Sequence, residues 1–412
     1  MVDREGLARN VVLYRHYQAC RGAMFTLPVF FLYLKSVVGF ADVLVLEAIY
    51  YACVVVLEVP SGWLADRFGR RPCLVAGAVL GVAAHVTFVL ANGFVGLAVA
   101  QAMLAGWMAF HSGADTALLY DSLVALDRTE EVGRAEAHAQ TAGFVTAAFA
   151  AAIAGAAGGF DLRWPYLLTA GTQVLALVVT LRMIEPPVQA TEVGLGGQVA
   201  ACVRAFSDRA LAWVLLFVIA VTILNHVPYE LYQAWLDELL RDGESSGRWT
   251  PLLSGALLAT TMLLGAAVSR VAVRIGERIG TVTALVGTVG LQTAAIASLG
   301  LWLHPLAGVA ILLRSAPRAI QTPLLRALVH PRLPGRLRST FFSLLSLAGR
   351  LGFSASLLVA ATAVGGDATA SWATLSATLL GFAVLGVVLT ALLGAWAPAV
   401  RGDENDRSPE LT

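Results

Sequence analysis

His111 and Asp115 stand four residues apart in an otherwise apolar stretch. On an unbroken helix that spacing puts both side chains on one face. An imidazole beside a carboxylate can pass a proton, because histidine is the side chain that ordinarily titrates near neutral pH. The same pair could instead be a neutral hydrogen-bonded strut between helices. A second constellation, Asn225, His226, Tyr229, Glu230 and Gln233, surrounds Pro228, which frees a backbone carbonyl and can hinge a helix. A third, Arg314, Arg318 and Gln321, repeats at four and three residues and forms one polar stripe. Arg21 and Arg350 complete the set. All lie within long runs of small and branched apolar residues, where an ionisable group costs several kcal/mol unless it faces water or a partner. An arginine there pairs with Asp115, with backbone carbonyls, or with an anionic ligand.

The surrounding composition says why such runs exist. Of 412 residues, 58% are apolar and 13% are charged, against about 25% charged in soluble domains. Mean hydropathy is +0.75. A net charge of +1 with no basic stripe argues against a nucleic-acid partner. Cys20, Cys53, Cys73 and Cys202 share no metal-ligand or redox spacing and read as small buried hydrophobes. No nucleotide-binding loop is present, and neither a nucleophile nor a metal constellation suggests an enzyme. No cofactor is expected.

Charge, Gly and Pro divide the apolar residues into twelve runs: 14–36, 43–63, 72–91, 95–119, 139–159, 165–183, 210–233, 251–270, 281–302, 306–328, 339–363 and 372–396. Each is long enough to cross the ~30 Å of a bilayer's hydrocarbon. The first carries Arg21 and no small-residue cleavage site, so it is expected to remain as a spanning helix. The expected fold is an all-α polytopic membrane protein with six-helix halves at 1–184 and 209–398. A polar cytoplasmic linker, 185–208, joins them, and 399–412 is a cytoplasmic tail. With the N-terminus inside, twenty of the 28 basic residues fall on the cytoplasmic side and four, Lys35, Arg163, Arg241 and Arg248, outside. That asymmetry predicts both termini in the cytoplasm, and a plasma (inner) membrane is the expected location. The other four, Arg21, Arg314, Arg318 and Arg350, lie within spans.

Acids and bases are absent from the interiors of spans 3, 6, 9 and 12 and present in spans 1, 4, 7 and 10. Helix rise places Arg314 and Arg318 about 12 and 18 Å below the outer surface. It carries Glu230 ~30 Å from the inner end, which puts that residue near the outer mouth. Glu47 and Glu58 read as interfacial or packing groups. Four basic residues facing chiefly Asp115 suggest a cavity of positive potential.

After the second span the sequence reads Gly62-x3-Asp66-Arg67-x-Gly69-Arg70-Arg71, a helix end and tight turn with cations where the helix dipole favours them. Val273-Arg274-Ile275-Gly276-Glu277-Arg278 echoes it 207 residues later, the mark of a duplicated six-helix unit. The first motif resembles the loop 2–3 signature of the major facilitator superfamily. Glu58-Val-Pro60-Ser-Gly62 and Ala117-Leu-Leu-Tyr120-Asp121-Ser122-Leu123 are similar to a bacterial drug-exporter-like branch. The resemblance implies a conformational latch formed by Gly62, Asp66, Arg67, Gly69, Arg70, Arg71 and Asp121. In it Asp66 engages the start of helix 11 near Arg338-Ser339-Thr340, and Arg70 pairs with Asp121. It also implies that spans 1, 4, 7 and 10 line a central cavity. Exporters of the antiporter type carry Gly-Pro-x-x-Gly-Gly at the end of helix 5. Here Ala154-Gly155-x-x-Gly158-Gly159 keeps the small residues and lacks the proline.

The function so implied is secondary active transport of a small organic solute by alternating access, as proton-coupled efflux by a monomer in the lipid bilayer. Proton-coupled uptake of a small organic anion is the alternative, and a non-transporting membrane sensor a third reading. His111, Asp115 and Glu230 are the expected proton carriers. Arg21, Asn225, His226, Tyr229, Arg314, Arg318, Gln321 and Arg350 are the expected substrate contacts. The topology is directly testable. In a host free of accessible native cysteines, Gly243→Cys and Gly366→Cys should react with an impermeant thiol reagent added outside intact cells, and Gly133→Cys should not. External labelling at Gly133→Cys would overturn the twelve-span arrangement.

Overall fold

A computed structural model describes residues 3–187, 195–241, 246–269, 271–333, 335–364 and 371–398. The tail 399–412 and part of the 185–208 linker lie outside the described residues, as do the side chains of Asp66, Arg338 and Ser339. Hydrocarbon offers backbone groups no hydrogen bonds, so a chain of this composition closes them within helices. The helices are α1 (Arg4–Gly22), α2 (Phe30–Val37), α3 (Phe40–Phe68), α4 (Arg70–Leu90), α5 (Phe94–His111), α6 (Ala114–Ala125), α7 (Val132–Gly158) and α8 (Arg163–Arg182). After α9 (Leu195–Ala205) come α10 (Arg209–Leu239), α11 (Ser246–Ser269), α12 (Ala272–Ile279), α13 (Thr281–Leu301), α14 (Val309–Leu313), α15 (Ser315–Val329), α16 (Gly335–Val364) and α17 (Trp372–Ala395). No strand occurs among the described residues.

Among those residues nine helical segments are long and apolar enough to cross a membrane, α5 and α6 counting as one. The pair α1–α2, the shorter apolar α11 and the pair α14–α15 correspond to the remaining runs of the sequence. The first segment starts at Arg4 rather than at 14 and is interrupted between Gly22 and Phe30, where Pro28 lacks a backbone donor. The groups that this interruption leaves unpaired are taken by the last six segments. Gln233 on α10 donates from Nε2 to the Leu27 carbonyl (2.9 Å), and its Oε1 accepts from the backbone N–H of Phe31 (3.0 Å) at the start of α2. Ser254 on α11 donates to the Pro28 carbonyl at 2.5 Å.

The fourth segment also breaks. Gly113, between α5 and α6, has φ +82°, a left-handed conformation that a side chain disfavours. His111 ends α5 and Asp115 begins α6, so the single helical face expected from their spacing does not exist. The duplicated loop is likewise shifted. Gly69 turns the chain from α3 to α4 at φ +105°, ψ 158°. Its structural counterpart, between α12 and α13, is Gly280 at φ +87°, ψ 139°, whereas Gly276 lies within α12 against Leu324. Sequence matching set the echo one helical turn too early.

The first six and last six segments meet where α3 packs on α16, α7 on α11, and α2 on α10. At the α7–α11 seam, Cβ atoms on Gly155 or Gly255 would collide with backbone of the facing helix, so small residues set the approach. At the end of the bundle farther from the termini, Lys35 pairs with Asp237 at 3.0 Å. α10 is the most buried of the nine helices and carries Trp213, Phe217 and Trp235 into the core.

Nothing stands within 4 Å of a Cβ built on Gly113, so substitution there meets backbone strain alone. Gly113→Ala should destabilise the detergent-solubilised protein by about 1–2 kcal/mol, and Gly113→Asn by less, read as unfolding midpoints.

Candidate functional site

A cavity of about 470 Å³ lies between the two sets of six segments. Its walls are Glu47, Tyr50 and Tyr51 of α3, His85 and Phe88 of α4, Gln101 and Trp107 of α5, and Tyr166 of α8. Opposite are Asn225, His226, Tyr229 and Glu230 of α10, Arg314 and Arg318 at and beyond the α14–α15 junction, and Arg350 of α16.

One pole is acidic. Glu47 and Tyr51 are one turn apart on α3 and share a face. Gln101 donates to Glu47 Oε1 at 2.8 Å. The Tyr51 hydroxyl crosses to α10 and donates to Glu230 Oε1 at 3.0 Å, while Glu230 Oε2 is buried with no hydrogen-bond partner. Glu230, 2% exposed, therefore sits inside the cavity wall and not at an outer mouth. Glu47, read from sequence as interfacial or packing, is 7% exposed and faces the same space. Its spacing from Tyr51 was the available signal. Edge contacts of Tyr51 with His226 (5.5 Å) and Phe353 (5.0 Å) hold the aromatic seam around it.

The other pole is basic. The Arg314 side chain, 7% exposed, lies over the rings of Tyr232 (4.5 Å) and Tyr229 (5.3 Å), a cation–π arrangement strengthened by desolvation. Its Nη1 has no hydrogen-bond partner. Asn225 donates from Nδ2 to Gln321 Oε1 at 3.0 Å and leaves its own Oδ1 unsatisfied. Gln321 in turn donates to Thr288 at 2.9 Å, so it orients Asn225 from behind the wall and does not line the cavity.

Arg350 is committed elsewhere. It donates to Glu58 Oε2 at 2.6 Å, an ion pair joining α16 to α3. Arg21 does not line the cavity at all. With Arg350 paired to Glu58, the lining sets two carboxyls, Glu47 and Glu230, beside two guanidiniums, Arg314 and Arg318, and is not the chiefly basic chamber suggested by the sequence.

His111 and Asp115 also lie outside the cavity lining. Asp115 accepts from Arg21 Nη1 and Gln18 Nε2 through Oδ2, each at 2.9 Å, and from the Thr116 N–H through Oδ1. It occupies the first turn of α6, where the helix dipole favours an anion. The His111 Nδ1 contacts the Trp107 carbonyl at 2.5 Å, and its ring stacks on Tyr17 at 5.5 Å. No hydrogen bond joins His111 to Asp115 among the described residues.

In the α3–α4 loop, Arg70 Nε lies 3.5 Å from Asp121 Oδ2. Arg67 packs over Trp63 at 5.2 Å, Arg71 donates to the Leu181 carbonyl at 2.9 Å, and Gly62 faces open space. The Asp66 contact expected at Arg338-Ser339-Thr340 falls outside the described side chains. A partner that the sequence did not reveal is Glu185. Its carboxylate accepts from the backbone N–H groups of Arg70 (2.6 Å) and Arg71 (2.7 Å), capping α4 from the start of the linker.

The Arg21–Asp115 pair can be measured by a mutant cycle. Asp115→Asn and Arg21→Met should each cost about 3 kcal/mol of unfolding free energy, the low end for a buried pair because Arg21 keeps a quarter of its side chain exposed. The double variant should cost less than their sum by more than 1 kcal/mol. Additive losses would show that the pair is not coupled.

Comparison with known proteins follows the same outline. The model of the Major Facilitator Superfamily matches residues 18–357. A mutant of nucleoside transporter NupG superposes with a TM-score of 0.79 at 13% identity, covering 95% of this chain and 100% of that one. An auto-inhibited POT family peptide transporter gives 0.68 at 15% identity, covering 97% and 99%. An inward-facing bacterial homolog of the human lysosomal transporter Spinster gives 0.68 at 14%, covering 95% of each. No match was found among curated protein sequences. At these identities the solved structures establish the fold alone. The family match, over most of the chain, establishes that this multi-pass membrane protein is a transporter and not an enzyme, and that it belongs to the Major Facilitator Superfamily.

Proposed function

We propose that the chain is a proton-coupled secondary transporter of a small polar organic solute, working by alternating access and exporting its substrate in exchange for protons. The observation that carries this reading is a pair of buried carboxyls, Glu47 from α3 and Glu230 from α10, on opposite walls of one cavity. An ionised carboxylate with an unpartnered oxygen, as at Glu230 Oε2, is costly away from water and gains by taking either a proton or a ligand donor. Occupancy by one excludes the other, and that exclusion is the physical basis of antiport. Each pH unit supplies about 1.4 kcal/mol per proton, enough for a tenfold solute gradient at one-to-one exchange. The 1–184 and 209–398 halves would rock about the cavity, and the Lys35–Asp237 and Gln233 contacts would break as the far end opens. Only such state-dependent contacts let a ligand shift the equilibrium.

Of the three expected proton carriers, this reading keeps Glu230 and replaces His111 and Asp115 with Glu47, because Asp115 already holds Arg21. A second reading, proton-coupled uptake of a small organic anion, is favoured by the unpartnered Arg314 Nη1. The two differ in sign. Proteoliposomes containing a pH dye and challenged with amino acids, nucleosides and organic acids should lose protons from the lumen on substrate entry if exchange operates, and gain them if symport operates. Glu47→Gln and Glu230→Gln should each bring pH-gradient-driven flux to background, whereas folded Asp115→Asn should retain it. The reverse pattern would return coupling to the Asp115 site.

A further inference from the structure

The cavity holds three polar atoms without partners, and they differ in kind. Arg314 Nη1 is a charged donor, while Glu230 Oε2 and Asn225 Oδ1 are acceptors. Among the described residues no carboxylate lies within ion-pairing distance of Arg314, and its guanidinium rests over the faces of Tyr229 and Tyr232. A guanidinium 7% exposed and so held lacks the acceptor that would offset its desolvation. Glu230, 2% exposed, has one oxygen satisfied by Tyr51 and one satisfied by nothing. The two poles are neighbours on one wall, since Tyr229, on which Arg314 rests, precedes Glu230 directly in α10.

Net charge narrows what can bind. An anion would satisfy Arg314 but enter a space walled by Glu47 and Glu230, and a cation would satisfy Glu230 but leave the guanidinium bare. A neutral polar solute could complete the hydrogen bonds but not compensate either charge, and charge-assisted bonds are about twice as strong as neutral ones. A molecule carrying both a carboxylate and an ammonium satisfies both poles and leaves the cavity's net charge unchanged. Elsewhere in the wall, Tyr50, Tyr51, Phe88, Tyr166 and Leu104 supply apolar and aromatic surface for the remainder of the solute. The cavity's volume falls within the range of ordinary small-molecule sites.

We infer that the cavity is built for a small zwitterionic solute of the amino-acid or short-peptide type. Its carboxylate is bound by Arg314, its ammonium by Glu230, and the Asn225 carbonyl accepts a further N–H. This rests on the transporter reading above and names the substrate class of the same site. It also gives antiport a chemical cause, because the ammonium and the proton compete for one carboxylate.

The test is binding to the purified full-length protein, which needs no assumption about direction or coupling. Thermal unfolding is followed with leucine, phenylalanine and their homodipeptides, each beside its amide, which lacks the carboxylate charge, its N-acetyl form, which lacks the ammonium, and its N-acetyl amide, which lacks both. At least one zwitterion should raise the midpoint by several degrees while its three blocked forms do not. Arg314→Gln should weaken that zwitterion at least tenfold and bring it level with its amide, with Arg314→Lys recovering part of the loss. Glu230→Gln should bring it level with its N-acetyl form. Should Arg314→Gln fail to fold, the wild-type panel and Glu230→Gln still decide. Equal stabilisation by a blocked form, or none by any zwitterion, overturns the inference. Charge-selective binding without pH-driven flux would overturn the coupling and leave the inference standing; pH-driven flux without charge selectivity would do the opposite.

Discussion

The Gln233 side chain binds the interrupted first segment to the opposite half of the molecule. Its amide nitrogen donates to the Leu27 carbonyl and its amide oxygen accepts from the start of α2. In water such a break would be solvated at little cost. In an apolar setting each unpaired backbone group costs several kcal/mol. The break is therefore stable while α10 lies against it, or where water takes the place of α10. Ser254 from α11 adds a third bond at Pro28, so residues 23–29 are tied to both neighbouring helices of the other half. Much else depends on this junction, because the cavity begins next to it, with Met24, Thr26 and Leu27 in its wall.

The same accounting orders the charges. Arg21 with Asp115, Arg350 with Glu58 and Lys35 with Asp237 are each paired within 3.0 Å. They occupy three depths of the bundle, and two of them join helices from different halves. Such pairs add little net stability over apolar packing of equal volume but make a misaligned interface expensive. Several buried polar atoms among the described residues lack a hydrogen-bond partner, and three of them share one place. Arg314, Glu230 and Asn225 present their unsatisfied atoms around one cavity, where the missing partners can be supplied by something that enters and leaves.

Glycine sets the geometry at a few points where a side chain would be strained or would collide. Gly69 and Gly280 occupy matching left-handed turns, one in each set of six segments, and they identify the internal repeat better than the basic residues around them. Gly113 divides the fourth segment so that Asp115 opens a new helix and meets Arg21. The α7–α11 seam depends on glycine for a different reason, the close approach of two backbones.

By itself the sequence determined the class of molecule. Runs of about twenty apolar residues admit helices and little else in hydrocarbon, and the Gly62–Arg71 motif with its distant echo pointed to the duplicated transporter family that the comparison established. It also found four of the five charged residues in the cavity wall, Glu230, Arg314, Arg318 and Arg350, because acids and bases within apolar runs are conspicuous. What it could not give was which charge meets which. Helical spacing linked His111 to Asp115, yet one left-handed glycine separated them. Glu47 and Glu58 looked peripheral, because position along a helix does not reveal what the facing helix presents. The pairing of Glu58 with Arg350 spans 292 residues, and that of Tyr51 with Glu230 spans 179. Contacts at such separations follow from how the two halves close on each other. Local periodicity carries no record of that closure, and tertiary packing alone decided it.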